Sequence, residues 1–178
     1  MAKNLQENEF IKEIQKVYSS ELDRAIETAK LAKPNTNIIM DKNLRERSLG
    51  KFENHSQRLI REKFPEYFPE GKAKFRHDFK LKAPGGENYT DVCNRCKAFL
   101  KSLNLLSNET IGVFSHMHFI RCFIYILANI SEQDLLKLKI PNCEPIVFEG
   151  KKIGNFKCIS HEIENFFDNK NFLAKSNK

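Results

Sequence analysis

Two points in this chain combine residue types that suit an anion. At the first, the apolar pair Val17-Tyr18 runs into Ser19-Ser20, and helical periodicity begins at once with Arg24 in its first turn. At the second, the apolar run Ile111–Phe114 stops at Ser115-His116 and a strongly apolar helical stretch follows. A helix that starts directly after a strand points free backbone N–H groups and partial positive charge at the junction, which suits phosphate. In an open α/β sheet these junctions gather at the carboxyl ends of the strands, where ligands bind. Arginine adds a planar fork that grips two oxygens at once. Taken singly, each feature has an ordinary reading. Arg24 is a surface residue, Ser115-His116 a structural turn, and Glu46 one carboxylate in a charged loop.

The elements that must position these residues follow from periodicity. A helix stub spans Glu7 to Gln15, and Val17-Tyr18 end a short strand. Ser20 and Asp23 form a capping-box-like start. Leu22, Ala25, Ile26, Ala29 and Ala32 then repeat at helical spacing until Pro34 ends the run. Ile38 to Met40 is a second strand. Asn43 to Gly71 is loop-rich with short helical pieces, and Lys72 to Ala83 is polar and irregular. Gly85-Gly86 punctuates the chain before a helix from Tyr89 to Leu103. Phe119 to Leu127 is apolar nearly all round, which predicts a deeply buried helix. Ser131 to Leu138 is a further helix. Ile146–Phe148 and Phe156–Ile159 read as closing, antiparallel strands, and the last dozen residues as a frayed tail. Strands alternating with helices predict an α/β fold.

Bulk composition narrows the function classes. At 178 residues, with 40% hydrophobic and 30% charged, the chain fits one compact domain spanning residues 1–178. Fifteen Phe and no Trp make phenylalanine the main filler of the core. No window approaches the ~18 uncharged apolar residues of a membrane span. Met1 to Phe10 mixes acidic and basic residues, unlike a signal or transit peptide, so a cytoplasmic location and no membrane partner are expected. The net charge of +7 is spread over 30 Lys and Arg interspersed with 23 Asp and Glu, without a basic run of five. That pattern fits an anion pocket on a solvated basic surface, and no nucleic-acid partner is expected. Five cysteines without a secretion signal predict free thiols. Cys93-x-x-Cys96 has no second pair at zinc-ribbon spacing; with Val92, Leu100 and Leu103 it fits one buried helical face. No metal and no cofactor are expected.

Joined in order, the segments resemble the histidine phosphatase (phosphoglycerate mutase-like) superfamily. Val17-Tyr18-Ser19-Ser20-Glu21-Leu22-Asp23-Arg24-Ala25-Ile26-Glu27-Thr28-Ala29 resembles its YSS-x-L-x-RA-x-x-TA segment. Leu44-Arg45-Glu46 through Gly50 to Glu53 resembles L-x-E-x-x-x-G-x-x-E. Pro84-Gly85-Gly86-Glu87 resembles PGGES. Val113-Phe114-Ser115-His116 with Phe119-Ile120-Arg121 resembles V-x-SHG-x-x-IR. Asn142 sits where the family has an Asn before a late strand. The resemblance runs from about Val17 to His161.

The resemblance implies a three-layer α/β/α sandwich around a mostly parallel sheet, and phosphomonoester hydrolysis on a small phosphorylated metabolite. It implies that Arg24 binds phosphate and that Glu46 is the general acid and later the base. His116 would be the second active-site histidine, donating to phosphoryl oxygens, with the Met117 N–H beside it and Ser20 as a further contact. Glu87 is a possible participant, and His118 a supporting residue of the pocket. Inorganic phosphate or a phosphorylated small molecule is the implied partner.

Two departures qualify these expectations. The family's first strand ends in Arg-His-Gly, whose histidine is the covalent nucleophile. No such segment precedes Val17 here, so the first strand is expected to be missing and turnover weak or absent. A truncated product, a degenerate member closing its sheet by homodimerisation, and supply of the segment by another chain all remain open. Arg76-His77-Asp78 lacks the glycine and follows a polar stretch; His77 is placed on a substrate-covering insertion. Met117 replaces the family's glycine and is expected to narrow the pocket. The alternatives to a phosphatase are a non-catalytic module that binds phosphate ligands or proteins, and a phosphoglycerate mutase.

Overall fold

A computed structural model describes residues 2–69, 73–74, 78–103, 108–151 and 156–159. Its centre is a parallel sheet of three strands, β1 (Lys16–Ser19), β2 (Ile38–Met40) and β3 (Ile111–Phe114), in the order β2-β1-β3. Tyr18 is in register with Ile39 on one side and Val113 on the other. Successive side chains of a strand point to opposite faces, and β1 uses both. Val17 enters an apolar cluster with Ile11, Ile14, Ala29 and Ala32, whereas Tyr18 packs against the cluster of Tyr89, Phe99 and Phe119. A strand buried on both faces is what a helix-covered parallel sheet requires.

The covering helices follow the sequence periodicity. α1 (Glu9–Lys12) and α2 (Asp23–Ala32) lie on the Val17 face, where α2 buries Ala25, Ala29 and Ala32. α4 (Tyr89–Ser102) and α5 (Met117–Ala128) cover the Tyr18 face. Between them in sequence, α3 (Gln57–Lys63) is capped by Ser56 and belongs to a separate cluster with Phe52 and Phe68. Helices on both faces of the sheet give three layers, the α/β architecture expected. α4 opens with a reciprocal capping box between Asn88 and Asp91. Along α5 no residue from His118 to Ala128 is exposed, matching its nearly all-round apolar sequence.

Phenylalanine fills the space between α4, α5 and the sheet. Tyr18 meets Phe99 edge-on with centroids 5.4 Å apart, and Phe119 stacks on Phe123 at 5.8 Å. Truncating such a buried ring to alanine costs about 3–5 kcal/mol. Cys93, Cys96 and Cys122 are free, buried thiols in the same cluster. Contact with Cys122 and then burial hold the Cys93 thiol far above its ordinary range; burial does the same for Cys122. All three are core residues, as the helical face suggests.

Three local expectations change. The stub from Glu7 to Gln15 contracts to α1, because the Asn8 carboxamide takes the N–H groups of Phe10 and Ile11 and so fixes the start. The capping box at Ser20 and Asp23 is not formed. Leu22 is the N-cap residue and offers no side-chain bond, while the Ser20 hydroxyl faces His116. The closing strands are short, β4 (Phe148–Glu149) and β5 (Lys157–Cys158), with Ile146 outside them; they pair antiparallel as a separate ribbon. α6 (Glu132–Lys137) follows α5 and is capped by Ser131. Among the described residues β3 pairs only with β1. No described helix is long and apolar enough to cross a membrane. His77 and the tail lie outside the described residues.

Candidate anion-binding site

The carboxyl ends of β1 and β3 lie side by side, because the Ser20 N–H donates to the Phe114 carbonyl at 2.9 Å. Each strand then turns into a helix, α2 from β1 and α5 from β3. This brings Ser20, Arg24 and His116 together across about ninety positions of sequence. Arg24 Nε donates to His116 Nδ1 at 3.1 Å, and His116 Nε2 lies 2.9 Å from Ser20 Oγ. Because Nδ1 accepts from a guanidinium, the neutral ring carries its proton on Nε2, which donates to Ser20. His116 is 7% exposed. Burial, reinforced by the Arg24 charge, holds it below the ordinary histidine range. The two terminal nitrogens of Arg24 bond to nothing among the described residues, and its side chain is exposed.

Glu46 reaches the same helix start from the loop after β2. Its Oε1 accepts the Arg47 N–H at 2.8 Å and the His118 N–H at 3.1 Å, one residue inside α5. His118 Nδ1 lies 3.2 Å from the same oxygen, although its ring N–H is not aimed well enough for a hydrogen bond. Burial pushes the Glu46 carboxyl up, but the His118 imidazole and the Arg47 N–H outweigh it, and the group is held below the usual carboxylate range. Glu46 is therefore ionised at neutrality and seated at a helix N-terminus, where negative charge is favoured. The Ser115 hydroxyl donates to the Leu44 carbonyl at 2.6 Å, joining the β3–α5 turn to this loop. Met117 is the first residue of α5; it is 41% exposed, and its N–H donates to nothing among the described residues.

The loop carrying Glu46 is held by glycine packing. Gly50 has φ +50°, and a Cβ there would stand 2.3 Å from the Pro84 carbonyl oxygen. A Cβ on Gly86 would stand 2.8 Å from the Ser48 carbonyl oxygen. The two backbones touch, so both positions need glycine. Glu87 is thereby brought to the loop rather than to the anion seat. It binds Arg95 with both oxygens, at 2.7 and 2.9 Å, and accepts the Ser48 N–H at 2.9 Å.

Several residues of this region escape a motif reading. Arg95 is one. Its signal is its place on the stripe Asn88, Val92, Arg95, Phe99, an arginine where an apolar residue belongs. Tyr89 is another, fully buried beneath the Arg47 guanidinium, which lies 4.9 Å from the ring centroid. Its hydroxyl accepts from Arg121 at 3.2 Å, and the His118 ring lies 5.7 Å away. Burial raises the Tyr89 phenol, with Arg121 opposing, so it is a neutral prop under His118. A cavity of about 300 Å³ among Lys51, His55, Leu59, Ile60, Lys63 and Phe64 shares none of these residues. Among the described residues no group of His, Cys, Asp and Glu is arranged to hold a metal ion.

Comparison with known proteins bears on the family and the fold. The profile of the histidine phosphatase superfamily (branch 1) matches residues 1–158. The 2,3-bisphosphoglycerate-dependent phosphoglycerate mutase 2 of Gloeobacter violaceus is 26% identical over 147 residues, covering 78% of this chain. The corresponding mutase of Nocardia farcinica is 26% identical over 163 residues, covering 75% of this chain. The chain spans 66% and 65% of the lengths of these two relatives. The structure of a mycobacterial glucosyl-3-phosphoglycerate phosphatase with VO3 superposes with a TM-score of 0.74 at 20% identity, covering 89% of this chain and 80% of that one.

Proposed function

Because the chain belongs to the histidine phosphatase superfamily, branch 1, we propose that Arg24, His116 and Ser20 hold the phosphoryl group of a small phosphomonoester. The observation that carries this reading is the Arg24–His116–Ser20 cluster, bonded together at the start of α5. The terminal nitrogens of Arg24 supply a two-pronged grip on phosphoryl oxygens. The His116 Nε2–H, parked on Ser20, and the Met117 N–H supply two further donors. Glu46 is the group that gives a proton to the leaving alcohol oxygen. It is ionised in the free site, so an arriving dianion must first drive it toward the protonated form.

Residues 1–178 contain no Arg-His-Gly. The covalent route needs a nucleophilic histidine to split one hard displacement into two. Our reading for this polypeptide is therefore phosphate-ligand binding with little turnover, and phosphatase chemistry in the family to which it belongs. Loss of a nucleophile leaves only residual catalysis from binding and electrostatics. The names of the sequence relatives support a second reading, phosphoglycerate mutase, which the same experiments address.

The test is equilibrium titration with phosphate and vanadate, beside hydrolysis assays on an aryl phosphate, sugar phosphates and phosphoglycerates, and trapping of phosphohistidine. Saturable binding weakened by Arg24→Ala is expected. No binding into the millimolar range, with Arg24→Ala indistinguishable, refutes the site. Robust turnover abolished by His77→Ala refutes the assignment of low activity, and isomerisation of phosphoglycerate without hydrolysis favours the mutase.

A further inference from the structure

We infer that Arg95 is a positioning residue for Glu46. Through Glu87 and three loop carbonyls it fixes residues 43–48 so that the Glu46 carboxylate stays against the N-terminus of α5. The inference rests on the proposed role of Glu46 beside the phosphoryl site, and it is carried by the arrangement around one guanidinium.

Arg95 has five N–H donors, and the structure gives it five bonds. Nε and Nη2 take the two oxygens of Glu87. Nη1 donates to the carbonyls of Asn43 and, at 3.1 Å, Arg45, and Nη2 reaches the carbonyl of Glu46 itself at 3.5 Å. Glu87 continues the clasp beyond Glu46. Its Oε2 accepts the Ser48 N–H, and its own N–H donates to the Ser48 carbonyl at 2.8 Å. The backbone is thus held at 43, 45, 46 and 48, on both sides of Glu46. No helix or strand covers residues 45–48, so their carbonyls have no ladder to pair with. A fixed planar fork can satisfy three converging carbonyls and one carboxylate together; an ammonium, with three donors on a flexible stem, cannot. The Arg95 and Glu87 side chains are 20% and 23% exposed, so water competes little for these bonds.

The consequence falls on Glu46. Its carboxylate faces His118 in the first turn of α5 and His116 at the N-cap, and Arg95 approaches the loop from α4. With the backbone pinned, Oε1 meets the N–H groups of Arg47 and His118. With the clasp gone, the loop keeps its covalent place but not the angle that delivers the carboxylate to α5.

The experiment follows Glu46 directly, by carbon-13 carboxyl NMR titration of the full chain, in wild type, Arg95→Lys, Arg95→Met and Glu87→Gln. Sulfate affinity, and its loss in Arg24→Ala, are measured in parallel. The expected result is that the Glu46 midpoint rises toward the ordinary carboxylate range in folded Arg95→Lys and in Glu87→Gln. Should Arg95→Met fail to fold, the other two variants carry the test. A lowered melting temperature with a Glu46 titration superimposable on wild type in both overturns the proposal, since it leaves Arg95 a merely structural role. Sulfate binding that is absent, or indifferent to Arg24→Ala, removes the phosphoryl-site reading instead, and the Glu46 titration still reads the clasp.

Discussion

Sulfate should bind more tightly as pH falls, because the anion takes up a proton on His116. In the free site the His116 ring is neutral, with Nδ1 accepting from Arg24 and Nε2–H donating to Ser20. Burial and the Arg24 charge hold it below the ordinary histidine range, so the free form binds its proton poorly. A dianion at hydrogen-bond distance reverses this by favouring the imidazolium, whose new Nδ1–H displaces the Arg24 Nε–H toward the anion. The sign follows from linkage. Above the anion-bound midpoint neither state holds the proton, and affinity is flat. Between the bound and free midpoints the complex holds one more proton, and affinity rises as pH falls. Below the free midpoint it is flat again. An opposite charge at ~4–6 Å shifts a midpoint by about one to three pH units, and Arg24 beside the ring argues for the low end, so a gain of about tenfold is expected once pH has fallen through both midpoints. Sulfate is chosen because, unlike phosphate, it does not titrate in this window. Calorimetry in two buffers of different ionisation enthalpy reads both affinity and proton uptake. The Glu46→Gln variant separates proton uptake by the Glu46 carboxylate from that by the His116 ring. Affinity independent of pH, or proton uptake that persists unchanged in His116→Gln, refutes the reasoning.

Other perturbations test the frame around the site. Gly50→Ala should destabilise the fold by about 2 kcal/mol or more, because φ is positive and the new Cβ meets Pro84 backbone; chemical denaturation reads it, and a neutral result would contradict the described loop packing. Asn88→Ala removes half of the capping box on α4 and should cost about 1 kcal/mol in the same assay. Tyr89→Phe deletes the hydroxyl that accepts from the Arg121 guanidinium while keeping the ring, for a loss of about 1.5–3 kcal/mol; a larger loss would mean the hydroxyl does more than accept that bond. Because His116 is depressed in the folded state, its contribution to stability is full above the unfolded histidine midpoint and declines as pH falls below it; melting temperatures across that range, with His116→Gln as control, check the sign.

The sheet and its helices were legible because their signals are local. Val17-Tyr18, Ile38–Met40 and Ile111–Phe114 are short apolar runs bounded by turn residues, and each is a strand. The all-round apolar character of α5 translated directly into burial. Ends were harder where a polar side chain had two possible partners. Ser20 resembles a cap in sequence, but in the fold it faces a histidine from another strand, a contact no local window contains. The site divides in the same way. Arg24, Glu46 and His116 stand out as members of ordered segments. Arg95 does not, because its role depends on carbonyls some fifty positions away. Glu87 stood out for its place in a segment, yet its carboxylate is engaged by that same arginine. What pattern could not supply was which polar groups meet one another across the fold.

The three thiols between α4 and α5 make the floor of this site observable without a ligand. Cys93, Cys96 and Cys122 are buried, and Cys93 and Cys122 are held neutral, whereas Cys143 is exposed. A thiol reagent therefore meets Cys143 at once and the buried set only when the two helices separate. The rate at which the slow sulfhydryls are modified is a clock for that opening. Any anion that knits Arg24 to the start of α5 should slow the clock, so that occupancy of the surface can be heard from the interior.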